Sequence, residues 1–347
     1  MQQEQEIRDL YHLCFDDDEA FEDAFFRLVY SPEEVILERE QGEIVSVVFC
    51  SPCHIRLKTT TLSTAPETEV LPIALSTEEI PTTLTVENVP TSLPTEETTT
   101  AAAFYLNGFC THPDHRGKDH ADRTMREALR RGYERGDCFA LLIPASSSLF
   151  DYYARYDFAV CFDKDESVAS LASKWRGCIA SFPKWDALYA EYEDPAPSPL
   201  SATALQQHAF GMARILNLPR LATLMARLFP DLCLSFAVHD ELLPHNTGIY
   251  TFLGDGHVSI CPFPVATSSA ALLSTDSAST DSPFIDSAST DSLSVATSLA
   301  AHLSIDCPLV PITQLTPAFI GYEVARLPLP LSTFPTGTPY LHSMLEE

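Results

Sequence analysis

Apolar positions recur along this chain at two spacings, one helical and one extended, and the switches between them outline its elements. Ile7, Leu10, Tyr11 and Cys14, then Phe21, Phe25, Phe26 and Val29, fall at helical spacing, so residues 7–30 read as two helical pieces. Asp16-Asp17-Asp18 precedes the second piece, where it suits helix capping rather than calcium binding. Residues 35–38, 44–49 and 53–57 read as strands, the first two joined by a hairpin turn at Gln41-Gly42. Another strand, 105–110, runs into a turn at Thr111-His112-Pro113. A helix over 119–135 follows, with Ala121, Met125, Ala128 and Leu129 on its apolar face and Gly136 ending it. A strand over 139–143 leads to a helix over 149–156 that Ser146 or Ser147 can cap.

The pattern breaks twice. Residues 59–103 are rich in Thr, Pro and Glu, with seven Glu and no Lys, Arg or aromatic residue. With no sustained period, they read as a disordered insertion between two strands. Residues 264–300 are a second low-complexity insertion, holding the duplicate DSASTDS at 276–282 and 286–292. Between them, 164–207 reads as a connector with a helical piece around Trp185, closed by the proline-rich 195–199. A further unit spans 208–347. In it 214–229 reads as helix and 234–238, 249–253 and 257–261 as strands, with a turn containing Pro244, Asn246 and Gly248. Ordered chain resumes at 303–309 and 315–321.

Composition narrows the function. With 48 acidic and 21 basic residues the net charge is −27, which argues against nucleic-acid backbone and anionic membranes as partners. No apolar run approaches a membrane span and no leader pattern opens the chain, so a cytoplasmic protein is expected. The ten cysteines are scattered, as suits free thiols in a reducing compartment. Cys50-Ser51-Pro52-Cys53 is a CxxC, but a strand there would turn its thiols to opposite faces, so it reads as two strand cysteines. His112, His115 and His120, with Cys110, close no ligand set in sequence, and no metal is expected. A serine hydrolase is disfavoured by the lack of a Gly-x-Ser-x-Gly elbow.

The stretch 105–158 carries the most chemistry. A strand feeding a basic, glycine-containing loop at a helix N-terminus is suited to holding a phosphate. The loop Arg116-Gly117-Lys118-Asp119-His120-Ala121 resembles the Arg/Gln-x-x-Gly-x-Gly/Ala loop of the GNAT family of N-acetyltransferases, with Asp119 in place of a family glycine. Tyr153-Ala154-Arg155-Tyr156-Asp157-Phe158 is similar to that family's Tyr-x-Arg-x-Gly-Phe run, with Asp157 in place of glycine. Met212-Ala213-Arg214-Ile215, Asp240, Asn246, Gly248, Tyr250, Pro339-Tyr340-Leu341 and Met344 resemble, more diffusely, the sterol-carrier-like domain that closes Eis-type acetyltransferases.

The resemblance implies an α/β (α+β) protein. A GNAT-fold mixed, mostly antiparallel sheet flanked by helices would occupy 1–163, and a smaller α+β sterol-carrier-like domain 208–347. It implies acetyl-CoA as co-substrate and acyl transfer to an amine of a small molecule or peptide. Phe109, Cys110 and Thr111 would offer a strand edge to pantetheine. Arg116, Gly117, Lys118, Asp119, His120 and Ala121 would hold the pyrophosphate. Tyr153 would be the acid and the C-terminal Glu347 the base. Homo-oligomerisation is compatible with this reading. A carboxylate at Asp119 repels a pyrophosphate, so the alternative is a catalytically degenerate GNAT-fold binding protein whose second domain serves assembly or an apolar ligand.

Overall fold

The computed structural model describes residues 2–15, 17–59, 98–165, 177, 179–191, 209–263, 307–336 and 340–342. Two helices open the chain, α1 (Gln2–Cys14) and α2 (Glu19–Leu28). Asp18 caps α2 as expected, its carboxylate accepting the Phe21 N–H at 2.8 Å. Strands β1 (Val35–Glu40) and β2 (Glu43–Thr59) form a hairpin whose turn residues, Gln41 and Gly42, both have positive φ. Strand β3 (Thr98–Thr111) leads through the loop to α3 (His120–Arg135), then β4 (Phe139–Leu142), α4 (Ser147–Ala154) and β5 (Ala159–Asp165). Strand β6 (Ile179–Ser181) and α5 (Pro183–Glu191) follow. Next come β7 (Ala209–Ile215), α6 (Leu218–Leu228), β8 (Cys233–Val238), β9 (Gly248–Leu253) and β10 (Val258–Cys261). Helix α7 (Ile312–Ile320) and β11 (Tyr340–His342) complete the described chain. No described helix is long and apolar enough to cross a membrane.

Eight strands form one sheet in the order β1-β2-β3-β4-β7-β5-β11, with β6 pairing to β2. Pairs β3–β4 and β5–β11 are parallel and the others antiparallel. Met125, Ala128 and Leu129 of α3 and Tyr153 of α4 pack with Phe104, Leu106 and Leu142 on one face. Helices α1, α2 and α5 cover the other, where Phe25, Phe49, Tyr105 and Trp185 meet. At Gly132 a Cβ would lie 2.1 Å from the Phe104 ring, so only glycine lets α3 sit this close to the sheet. A second, three-stranded antiparallel sheet, β10-β9-β8, stands beside α6 and α7. The mixed α/β architecture with a smaller α+β part is therefore as expected.

Three local readings need correction. Residues 98–103 are not insertion but the first half of β3, paired with β2 from Thr59 to Cys53. Their small side chains hide them in a Thr-rich composition, yet Ala101 and Ala103 are buried. The strands expected at 44–49 and 53–57 are one strand. Pro52 falls after the β1 pairing ends at Phe49 and before β6 begins at His54, so neither neighbour needs its missing N–H. Residue Arg214 is in a strand, not a helix. Residues 211–216 are buried on both faces, which erases the alternation that marks a strand. The helix starts only where Asn217 caps it and Pro219 occupies its first turn. Most of the 59–103 reading, all of 264–300 and the boundary at 195–199 lie outside the described residues.

Strand β7 opens the 208–347 segment but inserts between β4 and β5 of the main sheet. It carries Arg214, wholly buried, whose Nη2 donates to both carboxylate oxygens of Asp240 at 2.7 and 2.9 Å. Asp240 also accepts the Asn246 side-chain amide at 2.9 Å, and the Tyr250 hydroxyl donates to the Asn246 carbonyl at 2.9 Å. A charge this deep is tolerated only when paired, and removing one partner strands the other. Arg214→Met and Asp240→Asn should each cost about 3–5 kcal/mol in denaturant unfolding. An Arg214→Met/Asp240→Leu pair should lose less than either single change. A double variant losing the sum of both would refute the pairing.

Candidate functional site

The site grows from a defect in the sheet. Strand β3 pairs with β4 only over Ala103, Phe104 and Tyr105. Beyond that point β4 ends, and residues 106–111 of β3 keep β2 on one side and, among the described residues, no strand on the other. In the same stretch the β2 register advances two residues while β3 advances three, from Val47↔Cys110 to Phe49↔Asn107. This β-bulge contains Gly108 at φ 52, where a Cβ would come within 2.6 Å of the Phe49 ring. The bulge leaves Phe109 half-buried near Tyr152 of α4, ring centroids 6.5 Å apart.

The loop that follows presents its backbone. Among the described residues, the N–H groups of 117–121 donate to no carbonyl or side chain, and the first intrahelical bond of α3 is Arg123 N–H to Asp119 at 3.1 Å. Gly117 has φ 76 and Asp119 φ 60, with open space around the glycine. Successive N–H groups in such a turn, at the positive end of a sixteen-residue helix, form an anion nest. Asp119 thus keeps the left-handed backbone of the glycine it replaces, which Asp adopts better than most residues. Asp157, the other replacement, has φ 59, and its carboxylate accepts from Arg214 Nη1 at 2.8 Å.

The loop's side chains are tied inward rather than held out. Arg116, exposed, donates to the Thr111 carbonyl at 3.3 Å. Glu40 at the end of β1 lies 2.5 Å from His115 Nδ1, 3.2 Å from Lys118 Nζ and 3.4 Å from His120 Nε2. These neighbours, His115 first and then Lys118, hold the Glu40 carboxyl down to about 2. His120 is buried, with Arg123 Nη2 at 2.7 Å from its Nδ1. Phe109, Cys110, Thr111, Arg116, Gly117, Lys118, Asp119, His120 and Ala121 therefore form one continuous strand-end and loop.

Tyr153 is buried on α4, edge-on to Tyr152 at 5.2 Å and to Phe158 at 6.2 Å. Tyr152 is half-buried, and its hydroxyl is 3.5 Å from that of Tyr156. Burial, with the Tyr152 hydroxyl, raises the Tyr156 phenol well above its usual range. Glu347 lies outside the described residues.

Three residues were not singled out from sequence. Glu40 is far from the loop in sequence and is brought to it by β1. Asn107 is buried, its amide donating to Ser51 Oγ at 3.0 Å while its Oδ1 has no partner; the bulge alone marks it. Cys14 ends α1 with its sulfur 3.8 Å from the Thr111 carbonyl. Cys110 and, more weakly, the Arg116 charge draw its thiol down to about 7 against the effect of burial. The CxxC is inert by comparison. Cys50 and Cys53 face opposite cores, and burial pushes Cys50 up to about 12 and Cys53 higher still.

Residues 66–161 match the family model of the acetyltransferase (GNAT) domain. That stretch contains β3, the loop, α3, β4 and α4. The fold matches that of Eis1 from Mycobacterium abscessus with a TM-score of 0.57 at 12% identity, covering 98% of this chain and 96% of that one. A conserved protein from Enterococcus faecalis V583, described as a probable N-acyltransferase, matches at 0.56 and 11% identity over 98% and 97% of the two chains. A GCN5-related N-acetyltransferase from Kribbella flavida matches at 0.55 and 11% identity over 97% and 91%. No curated protein matches the sequence. The likeness of fold to these structures extends over nearly the whole chain, beyond the span that the family model matches.

Two measurements probe this geometry. Glu40 has a depressed folded pKa, so its contribution is present above its ordinary value of 4.5 and is lost as pH falls through about 2. Glu40→Gln should therefore lower the melting temperature at pH 7, with the gap to wild type closing as pH falls below about 4.5. A gap independent of pH would refute the ion pairing. Cys14 should be alkylated by iodoacetamide at pH 7 faster than any buried thiol, and Cys110→Ala should slow it. Mass mapping of the labelled peptides gives the answer.

Proposed function

We propose that this GNAT domain is an acetyl-CoA-dependent N-acetyltransferase acting on a primary amine. The observation that carries the reading is that, among the described residues, β3 has a strand on one side only over 106–111 and the N–H groups of 117–121 donate to no carbonyl or side chain. The open edge suits the extended amides of pantetheine, and the N–H nest suits the pyrophosphate, with Arg116 able to swing from Thr111 onto it.

In this reading acetyl-CoA runs along β3 beyond its pairing with β4 and places its thioester near the bulge. A backbone N–H of the β3 edge polarises the thioester carbonyl as a neutral amine attacks it. The tetrahedral intermediate collapses by breaking the carbon–sulfur bond, and Tyr153 donates its proton to the departing thiolate. Glu347 as base remains the family's implication. The acidic surface is compatible with a cationic acceptor.

One observation favours a second reading. Asp119 sets a carboxylate beside the N–H nest, and its repulsion of a pyrophosphate would suit a non-catalytic binding protein. Acetyl-CoA separates the two: it should raise the melting temperature by mass action if the nest binds it. Arg116→Ala should then weaken binding roughly 10–100-fold, the loss of one charge-assisted contact, and Asp119→Gly should tighten it. With an acceptor found by screening amines for thiol release, Tyr153→Phe should lower turnover by about 10²–10⁴-fold while leaving acetyl-CoA affinity near wild type. Tyr152→Phe and Tyr156→Phe are the controls. Equal losses in all three would make Tyr153 a packing residue.

A further inference from the structure

We propose that Glu40, His115 and His120 bind a first-row divalent cation, with Zn2+ preferred. Glu40, His115 and His120 each offer one ligand atom, and these atoms all lie within 4.8 Å of one another. Two imidazoles and a carboxylate suit Zn2+ in both atom type and number, and leave a fourth position open. At metal–ligand lengths of about 2.0–2.2 Å, tetrahedral ligand atoms stand roughly 3.3–3.5 Å apart. The His120–Glu40 separation of 3.4 Å already meets this, and the His115–Glu40 contact of 2.5 Å is a hydrogen bond that opens when an ion replaces its proton.

The buried ring points the same way. His120 is 5% exposed, and its Nε2 makes no hydrogen bond, although Glu40 is near. A buried ring nitrogen without a partner is costly, and an ion would give it one. Its other nitrogen has the surroundings that metal-bound histidines use. Glu38 Oε1 is 3.9 Å from Nδ1, and Arg123 holds Glu38 through its Nε at 2.7 Å. With the ion on Nε2, Nδ1 carries the proton and donates it to Glu38, while the Arg123 Nη2 that now faces Nδ1 turns aside. Glu38 and Glu40 together offset the positive end of α3.

Lys118 defines the competitor. Its ammonium is 3.2 Å from Glu40 and 3.5 Å from His115 Nδ1, so it neutralises the carboxylate that the ion would take. Binding is thus an exchange of one cation for another.

The test uses the full-length protein, stripped with chelator and free of acetyl-CoA, so its outcome is independent of the acetyltransferase reading. Titration with Co2+ should give one equivalent bound, with visible d–d bands of a low-coordinate nitrogen/oxygen site, and Zn2+ should displace it. A strong near-ultraviolet thiolate charge-transfer band would instead place the ion on cysteines and overturn the proposal. His115→Ala, half-exposed and safe for folding, should weaken binding roughly 10–100-fold or more, as should His120→Asn. Lys118→Met should tighten binding. Wild-type affinity in His115→Ala, weaker binding in Lys118→Met, or no stoichiometric binding to wild type would each refute the site.

Discussion

The guanidinium of Arg214 sits where the sheet, α4 and the C-terminal unit meet, and its need for partners organises all three. Its Nη1 takes the Tyr156 carbonyl at 2.6 Å and the Asp157 carboxylate at 2.8 Å, and its Nη2 takes both oxygens of Asp240. A wholly buried arginine contributes little net stability against an apolar replacement, but unpaired it is ruinous. The interaction therefore acts as a constraint: β7 can occupy the gap between β4 and β5 only if Asp240 arrives from the second unit and α4 ends in the turn that exposes the Tyr156 carbonyl. Asp240 is itself locked by the Leu242 and Leu243 N–H groups and by Asn246, so the turn before β9 is built around the same charge.

That constraint reaches the site through β4. Strand β4 has only four residues and is held on its far side by β7 from Phe139 to Leu142. Pinned there, it follows β3 for three residues and then stops, and beyond it β3 has no strand on that side among the described residues. The bulge at Gly108 turns that edge further, and α4, fixed by Arg214 at its C-terminal end, brings Tyr152 and Tyr153 toward Phe109. The features that suit a thioester and an anionic tail are thus consequences of strand lengths and of one buried pair.

The loop shows a different economy. Among the described residues the N–H groups of 117–121 find no acceptor, while Lys118 and His115 are satisfied by Glu40 of the β1–β2 hairpin. The backbone nest and the side-chain charges face different tasks, so an anion on the N–H groups need not compete with Glu40 for the same donors.

Much of the local structure was legible in the chain itself. Helical spacing, the Asp18 cap, Gly136 as a helix stop and the Gln41-Gly42 turn depend on residues within a few positions of one another, and short-range sterics and hydrogen bonds decide them. The resemblance to the GNAT loop and Tyr-x-Arg-x-Gly-Phe run put Asp119 and Asp157 where that family has glycine, and both do have positive φ. The sequence also set the thiols of Cys50 and Cys53 on opposite faces, since a strand alternates whatever its neighbours. What it could not show were contacts whose partners lie far apart in the chain. Residues 98–103 are hidden by their small Thr and Ala side chains, and 211–216 carry no visible alternation because both faces are covered, with that cover coming from elsewhere. Glu40 meets His115, Asp240 meets Arg214, and β4 abandons β3 only once the sheet is assembled. Each depends on strand order and register, which are fixed by the packing of the whole core and by no stretch of residues alone.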